Sequence, residues 1–313
     1  MPPDFTQLTW SPEIEDDLRH LVRLAVREDL GRQNDWTTVA LVAPETQGRA
    51  AIVAREPGVV AGLHAAPILI KEIDAKINWQ PRAADGDDIA AGACLAEIAG
   101  SARDMLTCER PLLNFIGRLS GIATLTREYV RRVEGTAARI YDTRKTTPGW
   151  RRLEKYAVQC GGGHNHRTGL FDAILIKDNH LALAAEKHLS PADAVRAARE
   201  FLAQLDSQYV NKEMLVEVEI DGLDQLDAVI AAGPDIVLLD NMTPAQLRTA
   251  VARRNELAPH VELEASGGVS LETVREIALT GVERISVGSL THSARSLDIS
   301  LDWLPTANAQ GDL

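Results

Sequence analysis

Apolar positions along this chain change their period twice. Over residues 13–29, Ile14, Leu18, Leu21, Val22 and Ala25 mark one face at helical spacing, between a Ser11-Pro12-Glu13 start and a stop at Gly31. From 48 to 100 the chain reads as short apolar runs, GRAAIVARE and GACLAEIAG, with turns at Pro57-Gly58 and Asp85-Gly86 and a helix near 64–74. That pattern predicts a small α+β domain with an antiparallel sheet. Ser101 opens a helical stretch to about Val133, in which Pro111 marks a break or a second start.

From residue 137 the pattern alternates. Apolar runs at 138–141 (ARIY), 173–176 (AILI), 214–218 (MLVEV), 235–239 (DIVLL), 261–263 (VEL) and 284–287 (RISV) predict strands, and 149–160, 190–205, 223–232, 244–257 and 270–280 predict helices. Six βα units mean a parallel sheet, either a barrel short of one strand or an open doubly wound sheet. No GxGxxG follows the first strand, which weakens a dinucleotide-binding reading.

A length of 313 residues suits one large α/β barrel or two ordinary domains, and 45% apolar content supports a substantial core. With 33 Lys+Arg against 45 Asp+Glu the net charge is −12, which argues against general nucleic-acid binding. Cys94, Cys108 and Cys160 are odd in number and far apart with no CxxC, so neither a disulfide framework nor a zinc knuckle is expected, and a reducing cytosol fits. MPPDFTQLTW lacks the form of a signal peptide, and the run Val59–Ile70, broken by Gly62, His64 and Pro67, is too short to span a bilayer; no membrane association is expected.

Against that acidic background, Asp142–His180 (DTRKTTPGWRRLEKYAVQCGGGHNHRTGLFDAILIKDNH) sets seven cations beside four acids and three consecutive glycines, Gly161 to Gly163. The simplest use of such an island is to hold a small polyanion. Each expected strand end also carries a polar group, and parallel α/β proteins bind ligands there. They are Asp142 to Lys145; Lys177 to His180; Glu217 and Glu219; Asp240 and Asn241; Ser266, Gly267 and Gly268; Gly288 and Ser289. Taken singly, each is an ordinary helix cap or loop charge; their convergence is what counts. SGG followed one unit later by VGS resembles the Gly-rich phosphate cradle of barrels. Glu219 and Asp240 suit sugar hydroxyls or a phosphate-bound Mg²⁺. His164 and His166 lack a clear third ligand, so hydrogen bonding to an anion fits better than zinc. Arg151, Arg152 and Lys155 fall on a helix and read as a solvated face.

TRKTTPGWR, CGGGHNHRTGLFDAILIKDNH, EVEI, LLDN, EASGG and ISVGSLTHS, with ERPLLNFIGRLSG upstream, closely resemble the quinolinate phosphoribosyltransferase family over residues 11–303. The resemblance implies an α/β fold with an N-terminal α+β sandwich domain, here 1–133, followed by an incomplete, open barrel of parallel strands at 134–289, with 290–313 packing back on the first. It implies a pentosyltransferase that joins phosphoribosyl pyrophosphate to quinolinate with decarboxylation, in the cytoplasm, with Mg²⁺ and no organic cofactor. It also implies a homodimer or higher oligomer whose sites are completed by Arg110 of the neighbouring subunit. Carried over by position, Thr143, Arg144, Lys145, His166, Arg167 and Lys177 surround the pyridine dicarboxylate. Glu219 and Asp240 take the ribose and, directly or indirectly, Mg²⁺. Ser266, Gly267, Gly268, Gly288 and Ser289, with His292 nearby, cradle the 5′-phosphate. Lys145, Glu219 and Asp240 are the residues expected to stabilise the separating charges. Two alternatives stay open: a homologue with another acceptor such as nicotinate, and a non-catalytic phosphoribosyl-phosphate sensor.

Overall fold

The computed structural model describes residues 4–183, 189–205 and 214–305. They form two compact units: one from the described residues of Met1–Gln7, Glu128–Lys145 and Gly163–Gly288, the other from Leu8–Arg127, Thr146–Gly162 and the described residues from Ser289 onward. The division is not the simple cut expected at 133/134. Residues 4–7 belong with the later unit, and residues 146–162 with the earlier one.

The unit that holds most of the N-terminal half begins with α1 (Pro12–Leu30), where the Ser11 side chain accepts from the Ile14 amide and Ile14, Leu18 and Val22 are buried. Then come α2 (Trp36–Leu41), β1 (Gln47–Ala54), β2 (Gly58–Val59), α3 (Ala65–Glu72), β3 (Ile77–Pro81), β4 (Asp88–Ile89), β5 (Cys94–Ser101) and α4 (Ala102–Val133), of which the residues up to Arg127 belong here. β12 (Ile299–Trp303) returns to pair antiparallel with β1, from Ala50↔Trp303 to Ala54↔Ile299, giving a four-stranded sheet of order β12-β1-β5-β3. The same unit contains α5 (Arg151–Cys160) and the short α11 (Ser289–His292).

Two expectations need correction here. Pro111 does not break the helix, which runs through it for 32 residues. The lost backbone bond and ring clash are outweighed locally by burial of Leu112, Leu113, Phe115, Ile116 and Leu119. Lys155 is not on a solvated face: it is fully buried, while Arg152 pairs with Asp17 at 2.8 Å. The three cysteines are free, and burial pushes the thiols of Cys108 and Cys160 up to about 12, so neither is a nucleophile near neutral pH.

The other unit is the parallel one. Its strands are β6 (Arg139–Tyr141), β7 (Ile174–Ile176), β8 (Val216–Ile220), β9 (Ile236–Asp240), β10 (Glu262–Ser266) and β11 (Arg284–Ser286), with α6 (Asp178–Leu183), α7 (Pro191–Gln204), α8 (Leu226–Ala231), α9 (Pro244–Leu257) and α10 (Val274–Ala278) between them. Their order is β6-β11-β10-β9-β8-β7, so the first two strands in sequence are the two edges. This is the order of a closed barrel with one pairing missing, the open barrel that was expected. A non-strand segment lies along the β6 side of that seam: His164 N–H donates to the Ile140 carbonyl at 2.8 Å, and Asp142 N–H to the His164 carbonyl at 3.0 Å. Among the described residues no helix is long and apolar enough to cross a membrane.

Alternate residues of a strand share a face. On β8 this groups Glu217 with Glu219, on β10 Glu262 with Glu264 and Ser266, and on β11 Arg284 with Ser286. The barrel interior is therefore charged in tiers. Arg284 is fully buried and touches Glu264 (3.1 Å), Glu262 (2.9 Å) and Asp4 (2.9 Å), with its guanidinium 3.7 Å from the Tyr141 ring centre.

Candidate active site

A cavity of about 610 Å³ opens at the C-terminal ends of the parallel strands, within the size range of small-molecule sites. Thr143, Arg144, Lys145, His166, Arg167, Lys177, Glu219, Asp240, Ser266, Gly267 and Gly268 all line it. Eleven of the fifteen residues singled out from sequence thus meet in one place. Gly288 closes the same unit at the end of β11, while Ser289 and His292 lie on α11 in the other unit. Arg110 also belongs to that other unit, where with Arg118, Thr147 and Trp150 it lines a separate cavity of about 630 Å³.

Local sequence explains how each side chain is held. The Asp142 carboxylate, buried after β6, accepts from the His166 amide (2.9 Å) and the Asn165 side chain (2.7 Å), fixing the segment that carries His166 and Arg167. The Arg167 guanidinium is buried, and its Nη1 donates to the Ala173 carbonyl at 3.3 Å. Lys177 Nζ donates to Glu219 Oε2 at 2.5 Å, tying the end of β7 to that of β8. Thr243 and Gln246 form a capping box with Pro244 at the first turn of α9, which holds the loop bearing Asp240 and Asn241. Asn241 takes a left-handed backbone (φ 52°), and its amide donates to the Ser266 carbonyl at 2.8 Å. Gly267 is obligatory beside it: φ is 92°, and a Cβ there would sit 2.2 Å from Asn241 Oδ1.

The electrostatics favour an anionic guest. Burial and the neighbouring Arg144 pull the Arg167 pKa down from its ordinary value, against the opposing pull of Glu217 and Asp172. A cation destabilised by burial and by a like charge gains from any anion that enters.

Below the cavity lies a group that the sequence reading missed in part. His166 Nε2 is 3.0 Å from Glu217 Oε2 and 3.5 Å from Glu264 Oε1, and both carboxylates are fully buried. Three such ligand atoms close together resemble a metal centre. The imidazole rules that out: its Nδ1 accepts from the Arg167 backbone N–H at 2.8 Å, so the ring proton sits on Nε2, the atom that would have to ligate. The carboxyls share the site unequally. Burial and the charge of Glu217 raise the Glu264 pKa; burial works the same way on Glu217, but His166, Arg284 and Arg167 outweigh it and lower that one. Glu264 is thus the more readily protonated of the two.

Glu219 and Asp240 are a different kind of pair. They line the open cavity rather than the core, and among the described residues each engages one oxygen, Glu219 with Lys177 and Asp240 with the Asn241 amide at 2.7 Å. Cavity-facing carboxylate oxygens fit a hard cation that arrives with a phosphate.

Fold and cavity together define an α/β-barrel protein with a cation-lined cavity, of small-molecule size, where its parallel strands end. The profiles of the quinolinate phosphoribosyl transferase C-terminal and N-terminal domains match residues 122–302 and 35–120, and the chain belongs to that family. It is 45% identical over 289 residues to the nicotinate-nucleotide pyrophosphorylase (carboxylating) of Mycobacterium leprae, spanning 92% of this chain and 97% of that one. It is 42% identical over 290 residues to the probable enzyme of the same name from Bacillus subtilis, spanning 91% and 93%. The solved nicotinate-nucleotide pyrophosphorylase of Francisella tularensis superposes with a TM-score of 0.85 at 36% identity, covering 96% of this chain and all of that one.

Proposed function

We infer that this chain transfers the phosphoribosyl group of 5-phosphoribosyl 1-pyrophosphate to quinolinate, with loss of CO₂, giving nicotinate mononucleotide and pyrophosphate in de novo NAD biosynthesis. The observation that carries the reading is the meeting of Arg144, Arg167 and Lys177 in one cavity with the SGG loop. Two vicinal carboxylates and a polyphosphate need many donors, and guanidinium forks suit both.

The acceptor lies against Arg144, Arg167 and Lys177, with the 5′-phosphate on the amides around Gly267 and Gly268. The pyridine nitrogen attacks the anomeric carbon, the bond to pyrophosphate breaks, and positive charge develops on the sugar. Glu219 and Asp240 stabilise that charge, and Lys145 the departing pyrophosphate. Glu219 and Asp240 would also hold Mg²⁺, which when bound supplies positive charge to the pyrophosphate oxygens. Once the ring nitrogen is quaternary, it stabilises the electron pair left on C2 as CO₂ departs, and a proton then takes its place. No protein nucleophile is needed.

Two further parts of the reading concern surroundings. The chain acts as a dimer in which Arg110 reaches the neighbouring subunit's site; its exposed position on α4 supports this. It works in the cytoplasm, which its free cysteines support.

The test is turnover. Purified protein with Mg²⁺, phosphoribosyl pyrophosphate and quinolinate yields nicotinate mononucleotide and CO₂, while nicotinate in parallel yields none. Product from nicotinate alone would overturn the acceptor, and binding of phosphoribosyl pyrophosphate without turnover of either would point to a sensor.

A further inference from the structure

Residues 4–7 are distant in sequence from every group assigned to the cavity, yet they lie directly beneath it. Phe5 is buried, and its ring stacks on His166 with centroids 4.2 Å apart and planes 30° from parallel. Gln7 makes a reciprocal pair with Asn165: its Nε2 donates to the Asn165 carbonyl at 3.0 Å, and its Oε1 accepts from the Asn165 amide at 2.7 Å. Asp4 anchors the segment by accepting from Arg284 (2.9 Å), Tyr141 (2.9 Å) and Arg139 (3.1 Å).

What this segment grips matters. Asn165 and His166 follow His164, where this non-strand stretch bridges β6, and side-chain contacts from Asp142, Gln7 and Phe5 hold them. His166 lines the cavity, and its Nδ1 accepts from the Arg167 backbone amide, so a tilt of the ring moves the peptide that carries the Arg167 guanidinium. Phe5 supplies the flat apolar surface against which that ring is fixed.

We propose that the segment Asp4–Gln7 is a working part of the acceptor site, with Phe5 and Gln7 acting as positioning residues that hold His166 and, through it, Arg167 against the dicarboxylate. The proposal rests on the acceptor reading above. Its effect falls on one substrate: Phe5 and Gln7 act on His166 and Asn165, on the acceptor side of the cavity.

The experiment compares Phe5→Ala, Phe5→Leu and Gln7→Ala with the wild-type chain, measuring kcat and both KM values well below the lowest unfolding midpoint. Loss of the stacked ring in Phe5→Ala raises the quinolinate KM about tenfold, since small misplacements of binding groups cost up to about a hundredfold. The KM for phosphoribosyl pyrophosphate stays within about twofold. Phe5→Leu refills the space and recovers most of the loss, and Gln7→Ala raises the quinolinate KM about threefold. A purely structural role lowers the active fraction and moves neither KM, or moves both alike; either result overturns the proposal. Should Phe5→Ala not fold, an unchanged quinolinate KM in Gln7→Ala overturns it equally. Wild-type protein that fails to turn over quinolinate sinks the acceptor reading itself, a result separable from normal wild-type turnover with indifferent variants.

Discussion

Arg284→Met offers the sharpest test of how the charged barrel interior is balanced. Arg284 is fully buried and serves three acids, of which Asp4 keeps Tyr141 and Arg139, and Glu262 keeps Arg139 at 2.7 Å. Glu264, also fully buried, loses the guanidinium that faces it at 3.1 Å and is left with Glu217 as a like-charged neighbour. The variant escapes by keeping Glu264 protonated. Protonating an acid of ordinary pKa 4.5 at pH 7 costs on the order of 3 kcal/mol. Because burial already raises the Glu264 pKa in the intact protein, that figure is an upper limit on the expected loss. At pH 5.5 the same sum falls to about 1 kcal/mol. Urea unfolding of both proteins at the two pH values measures the difference. Adding Glu264→Gln to Arg284→Met removes the charge and recovers most of the loss. A penalty that is the same at both pH values and untouched by the second substitution would refute this account and leave Arg284 as a packing residue against Tyr141.

Other outcomes follow from the same geometry. Glu264 has its pKa raised on folding, so the stability it contributes is full below about 4.5 and is lost as pH climbs through the raised value; Glu264→Gln therefore gains stability relative to wild type between pH 5 and 8, read by urea midpoints. Arg144→Ala or Lys177→Ala raises the quinolinate KM roughly 10- to 100-fold, the worth of one charge-assisted hydrogen bond, in steady-state assays; an unchanged KM contradicts the pocket. Gly267→Ala forces a side chain into φ 92° and onto Asn241, and raises the KM for phosphoribosyl pyrophosphate by about tenfold or more with little effect on quinolinate.

The parallel unit was largely legible because its signals are local. Strands buried on both faces read as apolar runs, and Thr243-Pro244 announces α9 at the residue where it begins. The cavity was legible because ligands of such folds gather at strand ends, which placed Arg144, Lys177, Asp240 and Gly267 together before any coordinates. What stayed hidden depends on distant partners. β3 reads INWQP, half polar with a terminal proline, and becomes a strand only because β5 lies beside it. β12 is extended by pairing with β1 some 250 residues earlier in sequence. Glu264 and Arg284 sit in short runs where a charge looks like a strand boundary, although EVEI and VELEAS do alternate, and that alternation was the available sign of a polar barrel interior. Phe5 gave no signal, since one aromatic in a polar leader has no period.

The tiered charges inside the barrel bear on temperature as well as pH. Most barrels fill this space with aliphatic side chains, whose exposure on melting raises the heat capacity of the unfolded chain. Here Asp4, Arg139, Glu217, Glu262, Glu264 and Arg284 occupy it instead. Exposing polar groups lowers that heat capacity, and the desolvation penalty of buried ions shrinks on warming. The curve of stability against temperature for this unit is accordingly expected to be flatter than that of a barrel filled with aliphatic side chains.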